Sequence, residues 1–272
     1  MHRVLIIVVL CALAGGVSLA QQPSGSRAFE VASIKPTVDA PTPNWRSRFQ
    51  PTSYIASNIP VRELIKIAYE LRVDAQVRSG PDWIDSARFD VQASSASQAT
   101  SAEMRIMLRG VLADRFKLRA RPGQQELPVY ALVKARSDGR LGTALKPIGE
   151  KDCAPAATQP TPGQFGCGSV MFSADSMIVG GVSMARFAEL LPGTSGFTGI
   201  DRLVIDRTSL PGLYAFDVKF LQLTLPGLRQ SDSPDLVAFP TALQEQLGLK
   251  LEPTRAPVEV LVIDSVERPT PD

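Results

Sequence analysis

The chain has 272 residues, is 44% hydrophobic, and sets 29 lysines and arginines against 27 aspartates and glutamates. So even a balance provides no field to gather nucleic acid or an anionic membrane surface. The length suits one large or two small domains, and a single histidine, His2, leaves little for histidine chemistry.

The first element is a targeting segment. Arg3 gives a positive start, Val4 to Leu13 is apolar, and small residues lead to Ser18-Leu19-Ala20. This pattern predicts a signal peptide over residues 1–20, cleaved after Ala20. As a membrane anchor the run is too short and too interrupted by glycine. No later apolar run is long enough to span a bilayer, so no stable membrane insertion is expected after cleavage. Cleavage removes His2, Cys11 and Arg3, leaving a net charge of +1 and two cysteines, Cys153 and Cys167. In an oxidising compartment this pair is expected to form a disulfide. Closing a loop of that size stabilises a fold by roughly 3 kcal/mol in the chain-entropy account.

Phe29 to Pro36 alternates apolar and polar residues and predicts an opening strand. A Pro- and Thr-rich loop over 37–46 and a short strand near Arg48 to Tyr54 follow. Ser57 and Asn58 are read as helix caps and Pro60 as a first-turn residue, with Val61, Leu64, Ile65, Ala68 and Leu71 on one helical face. Gln76 to Ser79 predicts a short strand, Gly80-Pro81-Asp82 a turn, and Phe89 to Ala93 a strand. Thr100 and Glu103 form a capping box that opens a helix through Met104, Leu108, Val111 and Leu112. Phe116 to Arg121 and Leu127 to Ala135 are read as a hairpin about Pro122-Gly123.

Residues 137–168, which hold both remaining cysteines, are read as a linker. Beyond it the order returns: a strand near Val170, a helix from Ser183 to Leu191, a strand at Leu203 to Ile205 and another at Phe216 to Phe220. A polar loop at 229–235 leads to a helix through Leu243 and Leu247, stopped by Gly248. A hairpin over 249–264 is expected to close this half. The two halves match in order. Phe49 and Tyr54 pair with Phe172 and Met177, Phe89-Asp90-Val91 with Phe216-Asp217-Val218, and Pro128-Val129 with Pro257-Val258. Small shifts in spacing are what loop insertions produce. The predicted fold is α+β, with two repeated βαββαββ-like modules of mixed or antiparallel sheet. Module 1 spans 28–136 and includes the strand at 29–36, module 2 spans 169–266, and 267–272 is a tail.

Several long motifs support a family resemblance. They are Phe29 to Pro36, Gly80-Pro81-Asp82-Trp83-Ile84, Asp206-Arg207-Thr208, Leu210 to Asp217, Thr241 to Pro253 and Ala256 to Asp264. Together they resemble the soil-associated exported proteins grouped as the domain of unknown function DUF3738, also called the TIGR03435 family. The resemblance implies a bacterial exported protein from lineages, notably acidobacteria, that carry many paralogues. It brings no accepted activity or catalytic residue. One departure is visible: the family usually has glycine where this chain has Ser209, so the turn there must place a serine in an allowed conformation.

Without histidine, neither a Ser–His or Cys–His catalytic pair nor an ordinary zinc site can be built in the mature chain. No phosphate-loop or dinucleotide motif is present. Gly193-Thr194-Ser195-Gly196 resembles a nucleophile elbow only superficially, because the second glycine is misplaced. No cofactor, metal or catalytic residue is therefore assigned. Paired carboxylates are the remaining catalytic chemistry, with Asp82, Asp85, Asp90, Asp206 and Asp217 as candidates. The bland reading, a solvated strand face or a turn-capping carboxylate, is favoured for each. Trp83 is either a sugar-stacking ring or a core ring closing its module, the second being favoured. Asp206-Arg207-Thr208 reads first as a turn with an internal hydrogen bond, and Arg207 second as a ligand contact. The sites carried forward are the cysteines Cys153 and Cys167, with Asp82, Trp83, Asp206 and Arg207 as partner-contact candidates. The expected function is a secreted or periplasmic, non-catalytic binding module for an envelope protein, by strand addition, or for a glycan. A histidine-free carboxylate enzyme acting on glycans is the alternative.

Overall fold

A computed structural model describes residues 28–38, 44–154, 165–173, 175–222 and 236–270. The segment read as a signal peptide and the loop at 229–235 lie outside them. In chain order the first half contains β1 (Val31–Pro36), β2 (Arg46–Gln50), β3 (Ser53–Pro60), α1 (Val61–Tyr69), β4 (Val77–Arg78), α2 (Trp83–Ser86), β5 (Arg88–Ser94), α3 (Ser101–Arg115) and β6 (Arg119–Lys134). Next come β7 (Lys146–Ile148), β8 (Cys153–Ala154) and β9 (Phe165–Gly166). The second half continues with β10 (Ser169–Phe172), β11 (Ser176–Val182), α4 (Met184–Leu190), α5 (Ser195–Thr198), β12 (Val204–Asp206), β13 (Leu213–Lys219), α6 (Phe239–Ala242) and β14 (Leu249–Ser265). The class is α+β.

Two antiparallel sheets share one connectivity. The first has the order β1-β5-β3-β2 and the second β7-β13-β11-β10. In each, a bulged strand runs directly into a helix. β3 is irregular between Ala56 and Ile59 and β11 between Val179 and Val182. The bulge residues Asn58 and Gly181 both have positive φ, 55° and 60°. Asn58 therefore shapes the bulge rather than capping α1, whose N-cap position is Pro60 with no side-chain cap bond. Within the stretch read as linker, β7 pairs with β13 and so forms an edge of the second sheet.

The bulges fix the register between the halves. Ala56 faces Val91 and Ile59 faces Phe89; Val179 faces Phe216 and Val182 faces Tyr214. Phe89 thus corresponds to Tyr214, and Val91 to Phe216. The Phe-Asp-Val match in the sequence is two residues out of register, and Asp90 corresponds to Ala215, not to Asp217.

The expected hairpins do not form. β6 is one strand of 16 residues and β14 one of 17, and they pair with each other antiparallel along their whole length. Pro122, Pro128, Pro253 and Pro257 all fall in register pairs of one parity. Tyr130, of the same parity, donates its N–H to the Leu203 carbonyl and so away from β14. A proline at such a position costs the ladder no hydrogen bond. What reads as turn chemistry in the sequence is therefore edge chemistry in the sheet.

This ribbon joins the halves. β4 of the first half adds in parallel to β14, and β12 of the second half adds in parallel to β6. One end of the ribbon contributes Leu261 and Ile263, with Leu118 just ahead of β6, to the first core, around Ile34, Leu64, Phe89 and Phe116. The other end contributes Leu132 and Leu249 to the second, around Phe187, Phe216 and Phe239. Leu127, Val129, Val258 and Val260 form a third buried cluster on the opposite face.

Local signals are kept where expected. Thr100 accepts from the Glu103 N–H while Glu103 accepts from the Thr100 N–H, an arrangement worth about 1 kcal/mol. Gly248, with φ 67°, ends the helical turns after α6.

Candidate functional site

A cleft opens where the edge strand of the first sheet is left uncovered by its helix. α1 buries Val61, Leu64, Ile65 and Ala68. Its flank at helical spacing, Glu63, Lys66, Ile67 and Glu70, turns toward β2. There Ser47 and Phe49, with Trp45 just ahead of the strand, lie on the face turned to the helix, because side chains alternate along a strand. The Phe49 ring stands 4.9 Å from that of the buried Tyr54. Arg105 of α3 lies over Phe49 at 5.1 Å and 3.7 Å from Glu70. Leu71, Arg72, Pro192 and Gly193 complete the lining, so both halves contribute to a volume of about 420 Å³.

One wall is aromatic and the other charged. Lys66 donates to Glu63 at 2.9 Å and to Asp74 at 2.6 Å. Burial works against the Lys66 ammonium, but these hydrogen bonds outweigh it and raise the pKa above the usual lysine value. The Arg72 N–H donates to Gln76 Oε1 at 2.8 Å, fixing the turn. Its guanidinium has no ion pair among the described residues, and a Cβ placed on Gly193 would stand 3.9 Å from it. Trp45 remains 38% exposed.

The residues singled out in the sequence do not assemble. Asp82 is exposed at the start of α2 and makes no side-chain cap bond. Trp83 packs on the first core and carries the Arg268 guanidinium 4.9 Å from its ring centre, so its face is not free for a sugar. Asp206 accepts from the Thr208 N–H at 2.8 Å, and Thr208 Oγ1 accepts from the Leu210 N–H. This is the internally bonded turn, with Ser209 at φ 55°. Arg207 is exposed and donates its N–H to the Leu132 carbonyl. Cys153 and Cys167 are joined, with their Cα atoms 5.0 Å apart. Asp90 Oδ1 accepts from the Asn58 N–H at 2.8 Å. Asp85 is held by Arg62 through both carboxylate oxygens.

Distance decides against paired-carboxylate chemistry between Asp82 and Asp206. Arg78 is in register with Val262, and Asp206 through Leu132 with Leu251. That is roughly 35 Å of ribbon at about 3.3 Å per residue. The four residues from Arg78 to Asp82 recover at most about 14 Å, while glycoside chemistry needs carboxyls about 5–9.5 Å apart. The hydrogen bond from Arg62 holds Asp85 below the ordinary carboxylate range. Burial raises Tyr54, and it raises Tyr69 against the Arg109 charge. Among the described residues no cluster of three or more His, Cys, Asp or Glu could hold a metal ion, and no helix is long and apolar enough to cross a membrane.

Sequence reasoning missed Trp45. The ring sits among Asn44, Arg46, Ser47 and Arg48, and an aromatic surrounded by polar residues at the start of a strand was the available signal.

The geometry defines an α+β protein with two similarly connected sheets and a ligand-sized cleft lined by residues of both halves. The chain belongs to the DUF3738 family, described as a protein of unknown function, whose profile matches residues 62–266. The match starts within α1, so the Phe29 to Pro36 motif lies outside it. No curated protein and no solved structure matches.

Proposed function

We propose that the protein is an exported, non-catalytic binding module whose partner is an envelope protein or a glycan. The observation that carries this reading is the cleft between β2 and α1. It offers an exposed aromatic and fixed charges, while the candidate carboxylates for glycan cleavage are dispersed or engaged. The apolar N-terminal segment with its small-residue cleavage site supports export, as does the Cys153–Cys167 bridge. The resemblance to soil-associated exported proteins points the same way. We read the halves as one module used twice, which the shared strand order and the paired bulges support. Strand addition is disfavoured along the free flanks of the ribbon, where two prolines on each strand face outward. The edges at β2 and β10 contain no proline.

Affinity capture with the purified mature chain, from envelope extract and from a glycan panel in parallel, tests this. Retention of a protein or glycan without turnover is expected. Reproducible hydrolysis of a glycan, abolished by alanine at Asp82, Asp90, Asp206 or Asp217 in a folded protein, would overturn it.

A further inference from the structure

We infer that the cleft between β2 and α1 binds an acidic oligosaccharide, with a uronate residue stacked on Trp45 and its carboxylate held by Arg72; this rests on the binding reading above. A pyranose has an apolar face of C–H groups and a rim of hydroxyls. The cleft has the matching asymmetry, with Trp45 and Phe49 on one wall and Glu63 and Glu70 on the other. A tryptophan ring with an open face offers a large apolar platform to such a sugar face. The volume of about 420 Å³ falls within the usual range of small-molecule sites, about 300–1,000 Å³.

Charge selects among glycans. Glu63 is engaged with Lys66 and Glu70 with Arg105, yet each carboxylate retains lone pairs for sugar hydroxyls. Lys66 is doubly neutralised, by Glu63 and Asp74. Arg72 is the cation of the lining left without a carboxylate among the described residues. A guanidinium in that state presents a planar fork matched to a carboxylate. Gly193 puts no side chain between Arg72 and the second half. A neutral glycan would use the aromatic wall and leave this cation unanswered.

The test is titration calorimetry of the purified chain with tetragalacturonic acid, and with cellotetraose as the neutral counterpart. We expect the acid to bind at least tenfold more tightly than the neutral sugar, and less tightly as salt rises. Trp45→Ala should weaken binding of the acid at least tenfold. Arg72→Ala should do the same and flatten the salt dependence, while Arg72→Lys should retain part of the affinity. Both side chains are exposed, and circular dichroism checks that the variants fold. If Trp45→Ala does not fold, Arg72→Ala alone decides. No binding of the acid, equal binding of the two sugars, or binding insensitive to Arg72→Ala would overturn the inference. A protein retained in the affinity capture while the acid fails to bind would overturn this inference and leave the binding reading standing.

Discussion

The two sheets solve one backbone problem with different chemistry. Each needs a residue at positive φ where a bulged strand passes into a helix. In the first half that residue is Asn58. Its N–H is held by Asp90, its carbonyl accepts from Arg88 at 3.0 Å, and its side chain reaches the Asn44 carbonyl. In the second half it is Gly181, and the position opposite is Ala215, which has no carboxylate to offer. Here the bulge is buttressed from outside. The Gly168 N–H donates to the Gly181 carbonyl at 3.2 Å, and the disulfide packs on the missing side chain. A Cβ on Gly181 would lie 2.8 Å from Cys153 Sγ and 3.1 Å from the Cys167 Cα. Backbone geometry can thus be shared while the groups that satisfy it are not, and matched residues in two halves need not have matched roles.

The sharpest way to break this comparison is to add a methyl group at the second bulge. Gly181→Ala should cost about 3 kcal/mol, combining roughly 1–2 kcal/mol for the left-handed backbone with overpacking against the bridge. Asn58→Gly, which keeps the backbone freedom, should cost clearly less. Urea unfolding of both variants decides, and equal losses would mean that the disulfide does not press on the bulge. Removing the bridge through Cys153→Ser with Cys167→Ser should cost about 3 kcal/mol. Cys153 is buried and lies against Gly181 of β11, so the bridge braces the second sheet and does not merely close a linker. In that background Gly181→Ala should be milder, and the difference measures the coupling. Mass analysis without reductant should find no free thiol in protein made in an oxidising compartment.

Much of the fold was legible from local chemistry. Thr100 with Glu103, Gly248 and the alternation of β1 and β5 each carry a signal that no distant contact overrides. Three features were not. Pro122-Gly123 reads as a turn because proline and glycine favour turns, and only the partner strand reveals that the proline nitrogens face outward. The Phe-Asp-Val match slipped by two residues because a two-residue slip returns every side chain to its own face. Hydrophobic alternation is blind to that, whereas a one-residue slip would be caught. The cleft depends on β2 projecting past the cover of α1 and on Pro192 arriving from the other half. Neither is encoded near Trp45.

A smaller effect sharpens the register correction. Asp90→Ala removes the acceptor of the Asn58 N–H and should cost about 1 kcal/mol, in the range of a single hydrogen bond. Asp217→Ala should change stability by less than about 0.5 kcal/mol, as for an ordinary surface substitution. The urea midpoints of the two variants, measured side by side, check this. Equal losses would restore the sequence match and undo the register read from the bulges.

The smallest effect concerns the first helix of each half. α1 is tied to α2 by Arg62 and Asp85, whereas α4 has an exposed pair on its own surface, Arg186 and Glu189 at 3.0 Å. The Asp85 carboxyl is shifted down from its ordinary 3.8, first by the hydrogen bond from Arg62, which outweighs the opposing effect of burial, and then by the Arg62 charge. A carboxyl whose pKa is lower in the folded state binds fewer protons there than in the unfolded chain. Its contribution is therefore complete above the unfolded pKa and is lost as pH falls through the lower folded one. Because the Asp85 side chain is 52% exposed, solvent screening keeps the gain to roughly 0.5–1 kcal/mol. Asp85→Asn should thus be less stable than the parent chain near neutral pH, and the gap should begin to narrow as the pH drops below about 3.8 and close as it falls through the lower folded pKa. Glu189→Gln in α4 should show a gap of at most roughly 0.3–0.5 kcal/mol, the value of a helix surface pair. Urea titrations at three pH values compare them, and a gap for Asp85→Asn that persists unchanged in acid would assign the contribution of Asp85 to packing instead of charge.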